Sequence, residues 1–395
     1  MMPNHARYID NPYVVEGETN PTCKFPAKDD LDALVARIGR RVDYTRPDVY
    51  VGASGVALLQ LHLGDHARAL VVAENALRTG RRLRSGCSFL CDHVGLLSVA
   101  AVAIHRERPD DTRLPDLIHR IEAAVEYVLR KDTGDELLYG RAGYLYAIQF
   151  LRKDFARDPL GSKLPVVAKQ TFDAILASGR RSALARGPPL YWRWRGKTYL
   201  GAAHGFAGIL TVLLQEHRVF GTVITPEDLQ AIKATVDWLA RLQTNDANLP
   251  STLESGHADL VQFCHGAPGL VLLLTEAMGT FEDMQKDWLR MAEKAGLCVW
   301  RKGLLVKGVS GLCHGIAGNA YTFGALHRAT GDTRWLSCRD AFATLAVKLL
   351  SQSRLDNPDH PYSLFEGIGG LAWLLSDVLK GGEAGFPAFS DVAER

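Results

Sequence analysis

The sequence predicts an all-α protein, a closed (α/α)7 toroid with seven inner and seven outer helices. Three observations predict it. A Gly-x-x-Gly pattern followed by about a dozen mostly apolar residues recurs along the chain at spacings of about 40 to 65 residues, in the range of repeat architectures. Amphipathic stretches with charged faces lie between the copies. Alternating β-branched runs bounded by Gly or Pro are scarce.

The copies follow in order. "VGASGVALLQL" carries Gly52 and Gly55, and "FLCDHVGLLSVAAVAI" is a degenerate copy with Asp92 in place of the first glycine and Gly95 kept. "LYGRAGYLYAIQFL" has Gly140 and Gly143, "GAAHGFAGILTVLL" has Gly205 and Gly208, and "FCHGAPGLVLLLTEAM" has Gly266 and Gly269. "LCHGIAGNAYTFGAL" (Gly315, Gly318) and "LFEGIGGLAWLLSDVL" (Gly367, Gly370) complete seven. The runs after the glycines are apolar all round, as buried helices are. Stretches 120–131, 226–243 and 335–352 between them show the i, i+3, i+4 apolar spacing of outer helices.

An open solenoid would leave one face of the inner helices wet, so uniformly apolar inner helices favour a closed ring. The glycines let the chain turn tightly into each inner helix. All inner helices then run the same way, and all seven motif loops meet at one pole. That pole collects helix N-termini, whose free N–H groups and dipoles favour anions and thiolates. One domain spanning 1–395 is expected, with an N-terminal segment and first outer helix in 1–45 and the repeats from about 50 to 380.

Composition excludes several function classes. With 46 Lys plus Arg against 44 Asp plus Glu, the net charge of +2 gives no global field for nucleic acid. No run is long and apolar enough to span a bilayer and the start has no apolar signal region, although peripheral contact with a membrane stays open. Seven cysteines, an odd number in a chain too large to need staples, fit a reducing cytoplasm. Arg78, Arg81, Arg82 and Arg84 read as a solvated helix end.

Cys264-His265-Gly266 and Cys313-His314-Gly315 repeat one tripeptide about fifty residues apart, at one phase of two successive repeats. Thiolates and imidazole brought to one pole suit zinc. Four ligands would close the site and three would leave a position for substrate; the spacing leaves the part of His265 undecided. The plainer alternative is a pair of buried cysteines with helix-capping histidines. An open zinc site suits activation of a thiol for alkylation or for addition to an electrophilic double bond.

The motifs "LYGRAGYLYA", "YLGAAHGFAGIL", "FCHGAPG", "GLCHGIAGNAY" and "SLFEGIGG" closely resemble the LanC-like family, the eukaryotic relatives of bacterial lanthionine cyclases, and the resemblance runs from "NPY" at 11–13 to "FPAF" at 386–389. It implies the double ring of seven helices, one zinc held by Cys264, Cys313 and His314 without His265, and glutathione as co-substrate. The implied activity is addition of the glutathione thiol to dehydroalanine or dehydrobutyrine residues in proteins or peptides. His204 matches the family's acid/base histidine. Arg7, Lys307 and Arg354 match cations that would hold the carboxylates of glutathione. Glu136, Tyr139 and Arg141, around "DELLYGRAG", are expected to orient the substrate or the histidine. Two other readings share these residues: a glutathione- and zinc-binding regulator without turnover, and a bacterial-type cyclase acting on peptide cysteines.

Two further stretches stand out. Cys87 and Cys91 read as buried structural cysteines. The Trp- and Arg-rich segment "PPLYWRWRGK" (188–197) reads as a rim loop that packs Trp192 and Trp194 on the ring and helps to receive a polypeptide.

Overall fold

The computed structural model describes residues 7–13, 26–79, 86–155, 162–185, 187–352, 358–382 and 384–392. Arg81, Arg82, Arg84, Cys23 and Arg354 lie outside them. Helices and isolated bridges make up the regular structure of the described residues. The inner helices are α2 (Ala53–Leu63), α4 (His93–Glu107), α7 (Arg141–Asp154), α9 (Phe206–Phe220), α11 (Ala267–Met278), α13 (Ile316–Thr330) and α15 (Ile368–Lys380). The outer helices are α1 (Lys28–Gly39), α3 (His66–Thr79), α5 (Leu114–Ala123) with the short α6 (Val125–Val128), α8 (Leu164–Arg181), α10 (Pro226–Ala240), α12 (Gln285–Lys302) and α14 (Arg334–Ser351). Each inner helix packs on the next, and α15 packs back on α2, so the ring closes. Outer helices fill the grooves: α3 touches both α2 and α4, α12 touches both α11 and α13, and α1 covers α15.

Inner and outer helices start differently. The outer α10 has an ordinary N-terminus, with Thr225 accepting from the Asp228 N–H and Pro226 in the first turn. At the inner α11 Asn248 Oδ1 accepts the N–H of Ala267 at 2.8 Å; at five other inner helices the preceding loop hooks back over the helix start. Its carbonyls accept the first helical N–H from seven residues ahead, at Ala53→Arg46 (2.7 Å), Arg141→Gly134 (2.9 Å), Phe206→Tyr199 (3.2 Å), Ile316→Val309 (3.1 Å) and Ile368→Pro361 (2.9 Å). This hook explains the second glycine of every motif. A Cβ there would strike the carbonyl oxygen six residues upstream, at a distance between 1.7 Å at Gly95 and 2.9 Å at Gly269. In the degenerate copy the room has moved: Gly86, six residues before Asp92, is where a Cβ would lie 2.3 Å from the Asp92 carboxyl group. Asp92 uses that space to accept from the Ser88 N–H at 2.9 Å.

One outer helix departs from the sequence expectation. The amphipathic run at 120–131 breaks at Ala124 into α5 and α6. The buried Tyr144 hydroxyl donates to the carbonyls of Ile121 (2.9 Å) and Glu122 (3.3 Å), so a side chain is inserted into the helical ladder at that point.

The barrel interior is filled from the C-terminal side. Phe386 and Phe389 are fully buried, and Phe386 stacks on Phe263 with ring centroids 4.0 Å apart. Tyr146 and Lys153 hold this segment by bonds to the Asp391 carboxylate (2.6 Å) and carbonyl (2.6 Å). No helix of the described residues is long and apolar enough to cross a membrane.

Candidate metal and acid/base site

The motif loops are joined by a collar of backbone hydrogen bonds. Three residues before the first residue of each inner helix stand Tyr50, Leu90, Leu138, Ala203, Cys264, Cys313 and Phe365. The N–H of Ala203 donates to Cys264 O (3.4 Å), Cys264 to Cys313 O (3.3 Å), Cys313 to Phe365 O (2.9 Å), Phe365 to Tyr50 O (3.1 Å) and Tyr50 to Leu90 O (2.9 Å). Leu137 donates to Ala203 O (3.2 Å) and Phe89 to Gly143 O (3.1 Å), so the collar links all seven repeats. Cys264 and Cys313 thus stand side by side because they hold one phase of successive repeats.

Their donor atoms and that of His314 all lie within 4.8 Å of one another. That spread is what three donors about 2.0–2.3 Å from one ion require, and two sulfurs with an imidazole form a donor set suited to zinc. His265 stays outside the cluster. The neighbouring Cys264 thiol, together with burial, pushes Cys313 well above its usual range, while His314 pulls it down. A buried pair of sulfurs in that state needs a cation to hold both as thiolates. Gln262 Nε2 donates to Cys264 Sγ at 3.3 Å. Burial, and next the neighbouring His204 and His314, bring His265 down to about 4, so it is neutral at pH 7.

One position closer to the helix start, the side chains form a second ring that faces the opening. In chain order it is Val51, Cys91, Tyr139, His204, His265, His314 and Glu366, each half-buried or exposed, whereas most of the collar residues behind them are buried. His204 and His265 are adjacent in it, with ring centroids 6.4 Å apart. His204 Nδ1 lies 2.6 Å from Glu136 Oε2. Glu136 is fully buried and its two oxygens also accept the N–H groups of Leu138 (3.0 Å) and Tyr139 (2.6 Å). The carboxyl group is therefore an acceptor, and Nδ1–H of His204 is the donor. Burial raises Glu136, and the bond to His204 works against that rise. The imidazole is fixed with Nε2 left for chemistry.

Tyr139 is exposed and lies parallel to His204, 6.2 Å centroid to centroid with planes 7° apart. Arg141 has a different place from the one expected for a group orienting substrate. It is buried, and its guanidinium is spent on the carbonyls of Val128, Arg130 and Thr133 and on Asp135 at 2.7 Å. It fastens the loop that carries Glu136. Arg7 and Lys307 are both exposed and come together, because Tyr8 bridges Leu305 and Val306 N–H donates to Arg7 O at 3.1 Å. Lys307 is next to Gly308, where a Cβ would lie 3.1 Å from the His314 ring.

Two cysteine and tryptophan expectations need correction. Cys87 is fully buried, but Cys91 is half-buried and belongs to the ring facing the opening, because it holds the same phase as His204. Trp192 is not on the rim. It is buried under α8, donating to Ile175 O at 3.2 Å, and only Trp194 is partly exposed. The sequence reading missed Tyr50, Gln262 and Glu366; Tyr50 and Glu366 were signalled by their phase relative to the helix-opening glycines.

Residues 43–390 match the family described as lanthionine synthetase C-like protein. The chain belongs to that family. It is 36% identical over 355 residues to the protein named glutathione S-transferase LANCL1 of Danio rerio, covering 86% of this chain and 84% of that one. It is 31% identical over 384 residues to LanC-like protein GCL1 of Arabidopsis thaliana, covering 92% and 84%. Among solved structures, nisin cyclase superposes with a TM-score of 0.65 at 16% identity, over 90% of this chain and 95% of that one, a likeness of fold. This LanC-like chain thus has a LanC-type toroid with a Cys-Cys-His cluster and a His–Glu pair at one pole.

Proposed function

We propose that this LanC-like protein is a zinc-dependent glutathione transferase that adds the glutathione thiol to dehydroalanine or dehydrobutyrine residues in proteins or peptides. The observation that carries the reading is the convergence of two units at one opening: the Cys264–Cys313–His314 cluster and the His204–Glu136 pair, with the His265 ring between them. Cys264, Cys313 and His314 would hold a zinc ion, which would lower the pKa of a bound thiol and so supply a thiolate at neutral pH. Arg7 and Lys307, both exposed beside the Cys313 loop, offer charge to the glutathione carboxylates; Arg354 is assigned to the same task by its match to the family.

Sulfur addition to the β-carbon of the dehydro residue leaves negative charge on the α-carbon and its carbonyl, and a proton must then reach the α-carbon. His204 Nε2 delivers it, and Glu136 holds the ring and stabilises its positive form. Tyr139, flat against His204, lines the approach. A relative named for glutathione transfer at 36% identity supports the same activity. The test is incubation of the zinc-loaded protein with glutathione and a dehydroalanine peptide. The expected product has the mass of peptide plus glutathione, and His204→Ala is expected to yield none above background. Zinc and glutathione binding without adduct would instead favour a regulator.

A further inference from the structure

We propose that the hairpin at 194–197 and its flanking cations select acceptor polypeptides carrying anionic side chains near the residue to be modified. The inference rests on the transferase reading above and adds to it the class of acceptor.

The hairpin is a built feature. Trp194 and Lys197 pair through both backbone bonds, at 2.9 and 3.0 Å. Arg195 and Gly196 form its tip with φ of 47° and 78°, a two-residue turn with both central residues left-handed. A long side chain seldom takes that conformation, so the surroundings fix Arg195 there. Trp194 clamps the hairpin over the opening. Its ring lies on Gly134, where a Cβ would come within 2.5 Å of it. It runs nearly parallel to Tyr139 (6.2 Å, 15°) and to His204 (6.4 Å, 17°). A chain segment reaching His204 from this side therefore passes along the hairpin.

The hairpin presents one sign of charge. Arg193, Arg195 and Lys197 are all exposed. Arg195 lies over the Trp194 ring at 5.3 Å, and neither it nor Lys197 has a carboxylate partner among the described residues. The nearby carboxylate is Glu254, 4.0 Å from Arg193. Its oxygens are engaged by the Thr198 N–H (3.0 Å) and hydroxyl (2.7 Å). Three exposed cations within residues 193–197, of which Arg193 alone lies near a carboxylate within salt-bridge distance, are a local concentration in a chain whose net charge is only +2. Exposed charges at the rim of an opening steer and select partners of opposite sign, and do so less at high salt.

The test is competition between two dehydroalanine peptides of equal length, one flanked by glutamates and one by lysines, with zinc-loaded protein and glutathione. Adducts are counted by mass spectrometry. The Glu-flanked peptide is expected to win by on the order of ten-fold at low ionic strength and by less in high salt. Charge reversal by Arg193→Glu, Arg195→Asp and Lys197→Glu together is expected to invert the ratio; circular dichroism verifies the fold. Equal use of the two peptides by the parent protein, or a preference that survives the reversal, overturns the inference. Should no adduct form with either, the transferase reading fails. Fluorescence anisotropy of labelled serine analogues of the same peptides then decides this one: tighter binding of the acidic peptide, lost on reversal, sustains the surface, and equal binding removes it.

Discussion

The two ends of the barrel are made from the same seven inner helices and have opposite chemistry. At the N-terminal end, the ring of side chains two residues before each helix is half open and holds thiol, phenol, imidazole and carboxylate groups. At the C-terminal end the charged groups are consumed in pairs that tie neighbouring inner helices together. Arg106 of α4 meets Asp154 of α7 (2.7 Å), Arg152 of α7 meets Glu216 of α9 (2.5 Å), and Arg218 of α9 meets Glu276 of α11 (2.7 Å). His62 of α2 meets Asp377 of α15 (2.8 Å), and Tyr321 of α13 donates to the same carboxylate (2.7 Å). The helix dipole favours the cations of the last turns and disfavours the carboxylates beside them, so Asp154, Glu216 and Glu276 are each held by an arginine of the neighbouring inner helix, while the sulfur donors and the Glu136 carboxylate sit where N–H groups point. A cavity of about 690 Å³ also opens at the C-terminal end, lined by Arg218, Glu276, Arg328 and Asp377. Its carboxylates are already paired within the wall, so this space marks a seam beside the C-terminal segment.

Four experiments sharpen or break this contrast. The largest effect is expected from Cys313→Ala, which removes a donor at the open end: bound zinc falls from one to none by elemental analysis, and glutathione addition falls by about three orders of magnitude or more. Arg152→Ala, at the paired end, leaves Glu216 buried without its partner and is expected to cost about 3–5 kcal/mol in denaturant unfolding while zinc content stays at one. Loss of zinc in that variant would mean that the ends are not independent. Glu136→Gln keeps the metal donors and the ring contact but takes away the carboxylate, and is expected to lower addition by about 10²-fold with zinc retained.

The smallest effect is a pH effect at a surface pair in the loop that follows α4. Hydrogen bonds from Arg113 hold the Asp111 carboxyl down, from 3.8 to about 2. The charged form is favoured in the fold, so its stabilisation is complete above pH 3.8 and is lost as pH falls through about 2. Arg113 is half exposed, so screening keeps the gain small. Asp111→Asn should therefore lower the melting temperature by less than about 1 °C at pH 5, by less still near pH 2 and not at all well below it, checked by calorimetry.

Much of this arrangement was legible in the chain itself. The glycine pairs and the all-apolar runs after them revealed the ring, because steric crowding by a hooked loop and burial on every side act on local sequence. The two Cys-His pairs were legible because two repeats carry one tripeptide at one phase; the spacing did not say which histidine joins the cysteines, the family resemblance implied His314, and the fold leaves His265 outside the cluster. The break at Ala124 was not legible, since it depends on a Tyr144 hydroxyl arriving from a later helix. Trp192 and Trp194 look alike in sequence; only packing under α8 separates the buried ring from the exposed one.

The sequence alone determined the repeat, its phase and the kinds of donor placed at each phase, because a helix start, a close-packed glycine and a buried face are constraints of a few residues. Tertiary structure alone decided which side chains meet. The collar of bonds from Leu137 round to Leu90 brings Cys264 to Cys313. The fold of the 128–141 loop, tied by Arg141, brings Glu136 under His204. Closure of a ring is a condition on all seven repeats at once, and no single stretch of chain contains it.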